Sequence, residues 1–327
     1  MKTKAAFITK TGSPESIQWG EIDLPELKQS DVLVKVKAAA VNPVDTYIRS
    51  GKFPMQIPNP YLLGSDFIGE VEKTGAKSRF KKGQLVWSNS AGKNGRLGCY
   101  AEYVVIEEKL LYAAPAKLDP LQVVAVAQSG PTACRGLIQG AQLHANEIIF
   151  VNGGGGNVGS SVIQLAVALG ARVFASTTGQ DKIEWCKSLG AEHVIDYKSD
   201  NVEEAIRKKA PQGVQVYWDT SKDPHFDLAV KVLAPHGRLV LMAGAESKPT
   251  FPVGAFYRNE LSLKGFSLFF ATPEELEGYA EIVNRCLTEN RLKSKIAKVF
   301  PLAEAAKAHQ LLEKEKELWG KVILTAN

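Results

Sequence analysis

The chain has 327 residues, enough for two domains of ordinary size with a buried core in each. Hydrophobic residues make up 45% of it and charged residues 23%, which excludes a disordered or a fibrous protein. The formal net charge of +5 at pH 7 is modest, and its densest basic run, residues 73–82, is typical of a solvated surface rather than of a nucleic-acid site.

The cysteines and the N-terminal residues indicate where the protein works. The four cysteines lie far apart, without a C-x-x-C pair, which argues against a disulfide framework and against a cysteine-rich zinc lobe. The apolar run behind the N-terminus spans only residues 5–8, too short for a signal peptide, and no other run is long enough to cross a bilayer. We therefore expect a cytoplasmic protein without a membrane segment.

Short strands and turns dominate the sequence up to about residue 120. The predicted strands are 5–9, 31–39, 69–72, 84–88 and 101–106. In the second of them Val32, Val34 and Val36 recur at every second position, which is the period of a strand with one buried face. The sequence therefore predicts a β-rich domain over residues 1–120.

The periodicity changes at about residue 121, where a helical stretch leads into alternating strands and helices. The predicted strands are 148–151, 172–176, 193–195, 214–218, 238–242 and 262–268, with helices at 158–169, 181–189, 202–209 and 226–233. This alternation is typical of an α/β fold and predicts a doubly wound Rossmann domain over residues 121–268, with a six-stranded parallel sheet. We expect residues 269–327, with helices at 273–289 and 302–316 and a strand at 320–325, to complete the first domain.

A glycine-rich turn separates the first strand of this second domain from its helix. Gly154, Gly156 and Gly159 fit the pattern G-x-G-x-x-G, with Asn157 and Val158 between the last two. Such glycines turn the chain, let the backbone approach a diphosphate and let the helix pack on the strand, so that the anion meets the helix N-terminus. A tight βα loop without a ligand is the alternative, but the flanking strand and helix favour a dinucleotide.

The end of the next strand indicates which dinucleotide is bound. NAD sites place a carboxylate about 20 residues beyond the first glycine, where it binds the ribose. Here the chain has Ser176 and Thr177, with Lys182 shortly after. Hydroxyls and a cation suit the extra phosphate of NADP(H). For Lys182 alone, a solvated lysine in the first turn of a helix is an equal alternative.

Several segments along the whole chain match one family pattern. They are residues 40–51, 64–71, 100–104, 130–133, the glycine turn, 189–197 and 320–324. In this order they resemble the medium-chain dehydrogenase/reductase superfamily, and within it the zinc-free quinone and enone oxidoreductases that include zeta-crystallin-like proteins. The resemblance implies a GroES-like catalytic domain beside the Rossmann domain, and hydride transfer from NADPH to a quinone or an α,β-unsaturated carbonyl compound.

The same resemblance implies that no metal takes part. Zinc-dependent relatives hold their catalytic metal with a cysteine at the position that matches Asn42 and a second cysteine at the position that matches Gln128. A Gly-His-Glu motif, whose histidine matches Ser65, corresponds to residues 64–66. Asn, Ser and Gln do not replace thiolate and imidazole ligands. A zinc-dependent alcohol dehydrogenase is therefore the disfavoured hypothesis.

The resemblance also supplies candidate site residues. Asn42 and Tyr47 are the catalytic candidates, since both can donate a hydrogen bond to a carbonyl oxygen that gains negative charge. The alternatives are a turn starter for Asn42 and a rim aromatic for Tyr47. Lys182 and Tyr197 match the pair that holds the ribose 2′-phosphate. The predicted cofactor-binding set is Asp45, Thr132, Gly154, Gly156, Asn157, Val158, Gly159, Ser176, Thr177, Lys182, Tyr197, Gly244, Phe269, Phe270 and Lys316.

Some of these assignments have alternatives. Asp45 either orders its loop or contacts the cofactor, and Lys321 is a second lysine of the tail, besides Lys316, that could reach it. Phe269 and Phe270 follow a strand predicted to be buried, so that a core position is at least an equal alternative for them.

The family includes members that do not act as enzymes, and fold alone does not fix function. The second hypothesis is therefore an NADPH-binding protein with a crystallin-like or RNA-binding role. In either case the resemblance implies a homodimer, formed through the edge of the Rossmann sheet near residues 261–268. For the enzyme, the partner molecule is a small quinone or enone substrate.

Overall fold

The computed structural model describes residues 1–53, 55–115 and 117–326. The chain forms two compact units, of which the first comprises Met1–Gln128, Pro273–Thr288 and Lys293–Asn327 and the second comprises Ser129–Thr272 and Glu289–Leu292. Each unit has a hydrophobic core of its own. Within the described ranges, no helix combines the length and the apolar character that a membrane span requires.

The N-terminal part of the first unit consists mainly of strands. These are β1 (Lys2–Ile8), β2 (Gln18–Asp23), β3 (Asp31–Val41), β4 (Tyr61–Leu62), β5 (Asp66–Thr74), β6 (Leu85–Ser88), β7 (Tyr103–Glu107) and β8 (Tyr112–Ala113), with helices α1 (Pro43–Ser50) and α2 (Pro120–Val126). The long strand β3 pairs antiparallel with both β5 and β7. Its valines Val32, Val34 and Val36 are buried, as their spacing predicts, and they belong to the core of this unit.

The second unit alternates helices and strands. They are α3 (Ser129–Arg135), β9 (Ile148–Asn152), α4 (Asn157–Ala168), β10 (Arg172–Thr177), α5 (Gln180–Ser188), β11 (His193–Asp196), α6 (Val202–Lys209), β12 (Val214–Asp219), α7 (Phe226–Val232), β13 (Leu233–Leu241), α8 (Val253–Arg258) and β14 (Ser262–Gly265). In the described part of the chain, the six strands form one parallel sheet in the order β11-β10-β9-β12-β13-β14. This is the doubly wound order, so the α/β fold and the six-stranded sheet are confirmed.

The C-terminal segment adds two strands to the sheet of the first unit. Its elements are α9 (Pro273–Thr288), β15 (Ile296–Pro301), α10 (Ala305–Lys314) and β16 (Lys321–Thr325). Strand β16 pairs antiparallel with β3, and β15 lies parallel to β16 on its other side. Leu324 and Phe300 thereby belong to the same hydrophobic core as the valines of β3.

The structure differs from the predicted elements at the last strand of the parallel sheet. The sequence predicts a strand over residues 262–268, but β14 ends at Gly265 and all four of its residues are exposed. The apolar residues that suggested a longer strand, Phe266 and Leu268, lie in the following loop and in a short 3-10 turn, Leu268–Phe270. The prediction of a buried strand before Phe269 was therefore wrong, because β14 forms an edge of the sheet.

Candidate functional site

In the second unit, the turn between β9 and α4 contains glycines at which backbone segments approach each other closely. A Cβ atom on Gly159 would lie 2.2 Å from the carbonyl oxygen of Gly153, so that only glycine lets α4 pack this tightly on the turn. Gly156 is the N-cap residue of α4 in an extended conformation, and glycine has no side chain to bind the amides of the first turn. Those amides and the helix dipole suit a diphosphate at this end of α4.

A partly buried polar network connects the strands beside this turn. The Asn152 Nδ2 atom donates to Asp219 Oδ1 at 3.0 Å, and Ser176 Oγ donates to Asn152 Oδ1 at 2.8 Å. The Thr220 hydroxyl donates to the Asn152 carbonyl oxygen at 2.8 Å. Ser176, a predicted cofactor-binding residue, is fully buried, and its hydroxyl is hydrogen-bonded within this network. The network joins the carboxyl ends of the three strands β9, β10 and β12.

The residues predicted to bind a 2′-phosphate lie at the carboxyl ends of β10 and β11. A Cβ atom on Gly155 would lie 2.4 Å from Thr177 Oγ1 and 3.2 Å from Lys182 Cβ, so that the glycine turn, Thr177 and Lys182 are neighbours. Lys182 is half-buried in the first turn of α5. Tyr197 follows β11, half of its surface is exposed, and its backbone N–H donates to the Thr177 carbonyl oxygen at 3.2 Å.

Sequence reasoning missed a carboxylate at the same edge of the sheet. Asp196 ends β11, directly opposite Thr177. Backbone N–H groups of Lys198 and Gly179 and the Thr178 hydroxyl hold the pKa of this carboxyl below its usual range. Because Asp196 is the residue just before Tyr197, the strand pairing that positions the tyrosine also positions this negative charge.

The other predicted cofactor residues are spread over both units. In the second unit, Thr132 is buried in α3, and Gly244 follows β13 with a φ of +88°. Phe269 is half-buried, whereas 83% of Phe270 is exposed. The core alternative for Phe270 was therefore wrong. Lys316 belongs to the first unit, where it lies exposed between α10 and β16.

The first unit contains a cluster of buried polar side chains around Asn42. Asn42 Nδ2 donates to Asp66 Oδ2 at 2.8 Å, and the Lys321 ammonium donates to Asn42 Oδ1 at 2.7 Å. The Asn42 backbone N–H donates to Asp45 Oδ2 at 2.8 Å, and the Tyr100 hydroxyl donates to the same oxygen at 3.1 Å. None of these five residues is more than 3% exposed. We call them the Asn42 cluster.

The local sequence and the strand pairing explain how this cluster forms. Asn42 is the N-cap residue of α1, Pro43 fills the first helical position, and the C-cap residue Gly51 is left-handed with a φ of +81°. The end of strand β3 lies between β5 and β16. Ala40 is opposite Asp66 in β5, and Val41 is opposite Val322 in β16. The pairing of these three strands therefore brings Asn42, Asp66 and Lys321 close together.

Burial dominates the electrostatics of this cluster. Burial, and after it the charge of Asp66, raises the pKa of the Asp45 carboxyl to about 7. Burial also raises the pKa of Asp66, although the ammonium groups of Lys321 and Lys93 oppose this shift. The same burial lowers the pKa of both lysines. Two carboxyl groups and two amines thus share one buried site, in which each charge depends on the others.

Replacing Asp45 with asparagine is expected to stabilise the protein above pH 7. The folded pKa of about 7 lies above the ordinary value of 3.8, so that the cost of ionising Asp45 appears as the pH rises from about 4 to 7 and then stays constant. An asparagine Oδ1 can still accept from the Asn42 N–H and from Tyr100. Thermal melting at pH 4 to 8 should show a gap between variant and parent that grows to about 5 °C. A gap that shrinks with rising pH would contradict this assignment.

Tyr47 lies apart from the buried groups of the Asn42 cluster, although it is on the same helix as Asp45. Its side chain is 36% exposed, and its backbone carbonyl accepts from the Ser50 hydroxyl at 3.2 Å and from the Phe53 N–H at 3.1 Å. These backbone contacts fix the C-terminal turn of α1. The phenol therefore remains at the surface of the first unit, where a small molecule can reach it.

Comparisons with known proteins cover both units. A family model described as alcohol dehydrogenase GroES-like domain matches residues 28–116, and one described as zinc-binding dehydrogenase matches residues 157–285. The quinone oxidoreductase of Rattus norvegicus is 32% identical over 98% of this chain and 97% of its own. The chloroplastic NADPH-dependent alkenal/one oxidoreductase of Arabidopsis thaliana is 38% identical over 70% of this chain and 59% of its own. The structure of a mycobacterial protein complexed with NADPH is 28% identical, with a TM-score of 0.85 over 99% of each chain.

The residues of this chain do not fit the zinc ion that the second family description names. Of the positions that match zinc ligands, Asn42 and Ser65 offer an amide and a hydroxyl, and both are hydrogen-bonded to Asp66. The Lys321 ammonium lies 2.7 Å from Asn42 Oδ1, where a second cation would be repelled. Among the described residues, no group of three or more His, Cys, Asp or Glu side chains is arranged to hold a metal.

Proposed function

Because the chain belongs to the quinone oxidoreductase family of medium-chain dehydrogenases/reductases, we propose that it transfers a hydride from NADPH to a quinone or to the β-carbon of an α,β-unsaturated carbonyl compound, without a metal. The observation that carries this proposal is the buried Asn42 amide, held between the Lys321 ammonium and the Asp66 carboxylate. An immobile amide N–H is a suitable donor for an oxygen that becomes negative during the reaction.

The residues of the second unit would bind the cofactor. The amides at the start of α4 would bind the diphosphate, while Lys182 and Tyr197 would bind the 2′-phosphate that distinguishes NADPH from NADH. Thr132, Gly244, Phe269, Phe270 and Lys316 remain candidates for further cofactor contacts. Bound NADPH would supply the hydride, and the protein would supply orientation and electrostatic stabilisation.

The first unit would stabilise the product of hydride transfer. A hydride that reaches an enone or a quinone leaves negative charge on the substrate oxygen. The second N–H of Asn42 Nδ2, besides the one directed at Asp66, would donate to this oxygen. Tyr47 is exposed on the same loop and helix, so that its phenol would then donate the proton that completes the reduction.

The test is NADPH oxidation with a metal chelator present. A simple benzoquinone and a simple enone are offered separately, and NADH replaces NADPH in the control. We expect oxidation that persists with the chelator and prefers NADPH, and the faster acceptor identifies the substrate class. Activity that the chelator abolishes would contradict the metal-free mechanism. NADPH binding without oxidation of either acceptor would favour a non-catalytic role.

We also propose a homodimer that forms through β14. Within the described residues, this strand pairs with β13 on one side only, and its four residues are exposed. An open edge strand can continue its sheet into a second copy of the chain. Light scattering over a wide range of protein concentration tests this proposal, and a monomer throughout would overturn it. The four cysteines are buried and none forms a disulfide within the described residues, which suits the cytoplasmic setting that we propose.

A further inference from the structure

Lys321 carries a buried ammonium group that the proposed reaction does not yet use. It begins β16, is 3% exposed, and donates a hydrogen bond of 2.7 Å to Asn42 Oδ1. A buried lysine is costly unless it is paired, since burial disfavours its charge. Here Asp66 and Asp45 supply compensating negative charge. Among the described residues, Lys321 donates this side-chain hydrogen bond to Asn42.

The chemistry of the two neighbours fixes the orientation of the Asn42 amide. An ammonium can only donate a hydrogen bond, so that the amide atom facing Lys321 must be the oxygen. The Lys321 and Lys93 ammonium groups favour the ionised form of Asp66, and an ionised carboxylate can only accept, so that the atom facing Asp66 must be the nitrogen. A flipped amide would place two donors face to face on one side and two acceptors face to face on the other. Neither arrangement is tolerable among side chains this deeply buried.

We propose that Lys321 is a positioning residue, which holds the Asn42 amide so that its second N–H faces the substrate. This inference rests on the proposed function, in which that N–H binds the substrate oxygen. Without the ammonium, Asp66 would still attract the Asn42 nitrogen, but the amide oxygen would lose its partner and the group would become mobile. A cation on the amide oxygen also withdraws electron density and makes the N–H a stronger donor.

The charges around Lys321 determine which variant gives a clear answer. The Asp66 and Asp45 carboxyls and the Lys93 amine share the site, and Tyr100 and Cys99 border the two carboxyls. Removing the ammonium alone would leave the carboxyls with less compensation and would cost stability. Lys321→Met preserves most of the side-chain volume. The double variant Lys321→Met with Asp66→Asn removes one charge of each sign and keeps an oxygen that accepts from Asn42. Its new amide NH2 can donate to the Ser65 hydroxyl, which donates to Asp66 in the parent protein.

A double-mutant cycle with Asn42 tests the proposal. In an otherwise unchanged chain, Lys321→Met is expected to lower kcat by about tenfold to a hundredfold while the KM for NADPH changes little. The charge-balanced double variant should show the same loss of kcat with a higher melting temperature. In the Asn42→Ala background, Lys321→Met should cause no further loss, because its effect passes through the amide. Lys307→Met is the matched control, since Lys307 is exposed and pairs with Glu304.

The outcomes separate this inference from the proposed function. If Asn42→Ala lowers kcat but Lys321→Met does not, the positioning role is wrong and the donor role of Asn42 stands. If both variants lower kcat and their effects multiply, Lys321 acts independently of the amide and the proposal is overturned. If Asn42→Ala leaves kcat unchanged, the proposed role of Asn42 itself fails.

Discussion

Replacing Asn42 with alanine is expected to lower kcat by about a hundredfold, while the KM for NADPH changes by less than about twofold. Removing one donor that stabilises a developing negative charge typically costs this much. Asn42 belongs to the first unit, whereas the glycine turn and Lys182 belong to the second, so that the variant removes none of the proposed phosphate contacts. Steady-state kinetics with the better acceptor at saturating NADPH measures the effect.

The control must distinguish a loss of the Asn42 donor from a general loss of protein stability. Alanine at position 42 leaves the Asp66 carboxylate and the Lys321 ammonium without the amide between them, and this costs stability. Thr46→Ala is the matched variant, because Thr46 is equally buried in the same helix and donates to the Pro43 carbonyl at 2.8 Å. It should lower the melting temperature but preserve kcat. Unaltered turnover in Asn42→Ala, or an equal loss in Thr46→Ala, would remove Asn42 from the catalytic group.

The parallel sheet was predictable because its signals are local. Each buried strand is a short apolar run, and each helix between two strands repeats its apolar residues with helical period. The sequence does not reveal β15, because Ile296–Pro301 is only half-buried and carries a lysine in its middle. Its place depends on parallel pairing with β16, which no local pattern encodes. The predicted range of the edge strand β14 is too long for a related reason, since Phe266 and Leu268 are apolar but do not belong to the sheet.

The candidate site was predictable only in part. The family resemblance points to Asn42 and to the segment containing Asp66, but Lys321 is 279 positions away from its partner Asn42. A signal existed, since a lysine begins a strand whose next three residues are all apolar, and a buried cation there requires partners. The pattern at the end of β10 does not indicate Asp196, because this carboxylate lies at the end of the neighbouring strand β11. Strand pairing, rather than sequence distance, brings it to the predicted phosphate site.

Replacing Lys182 with alanine is expected to raise the KM for NADPH by about tenfold to a hundredfold and to change the KM for NADH by less than about threefold. A hydrogen bond to a charged group contributes roughly 1.5–3 kcal/mol, which corresponds to this range. Lys182 lies beside the glycine turn and Thr177, at the edge of the sheet where Tyr197 also lies. Initial rates with each cofactor, with the acceptor saturating, measure the ratio.

The neighbouring lysine of the same helix provides the control for Lys182. Lys187 is exposed and pairs with Glu184 at 2.9 Å, so that Lys187→Ala removes the same charge from α5 without touching the glycine turn. If the net charge of the helix alone attracts the cofactor, both variants weaken NADPH binding equally, and added salt removes the difference from the parent. If Lys182 contacts the phosphate, only its own variant loses the preference for NADPH. Equal changes for NADPH and NADH would show that Lys182 does not read the phosphate, and the negative charge of Asp196 would then make a preference for NADPH difficult to explain.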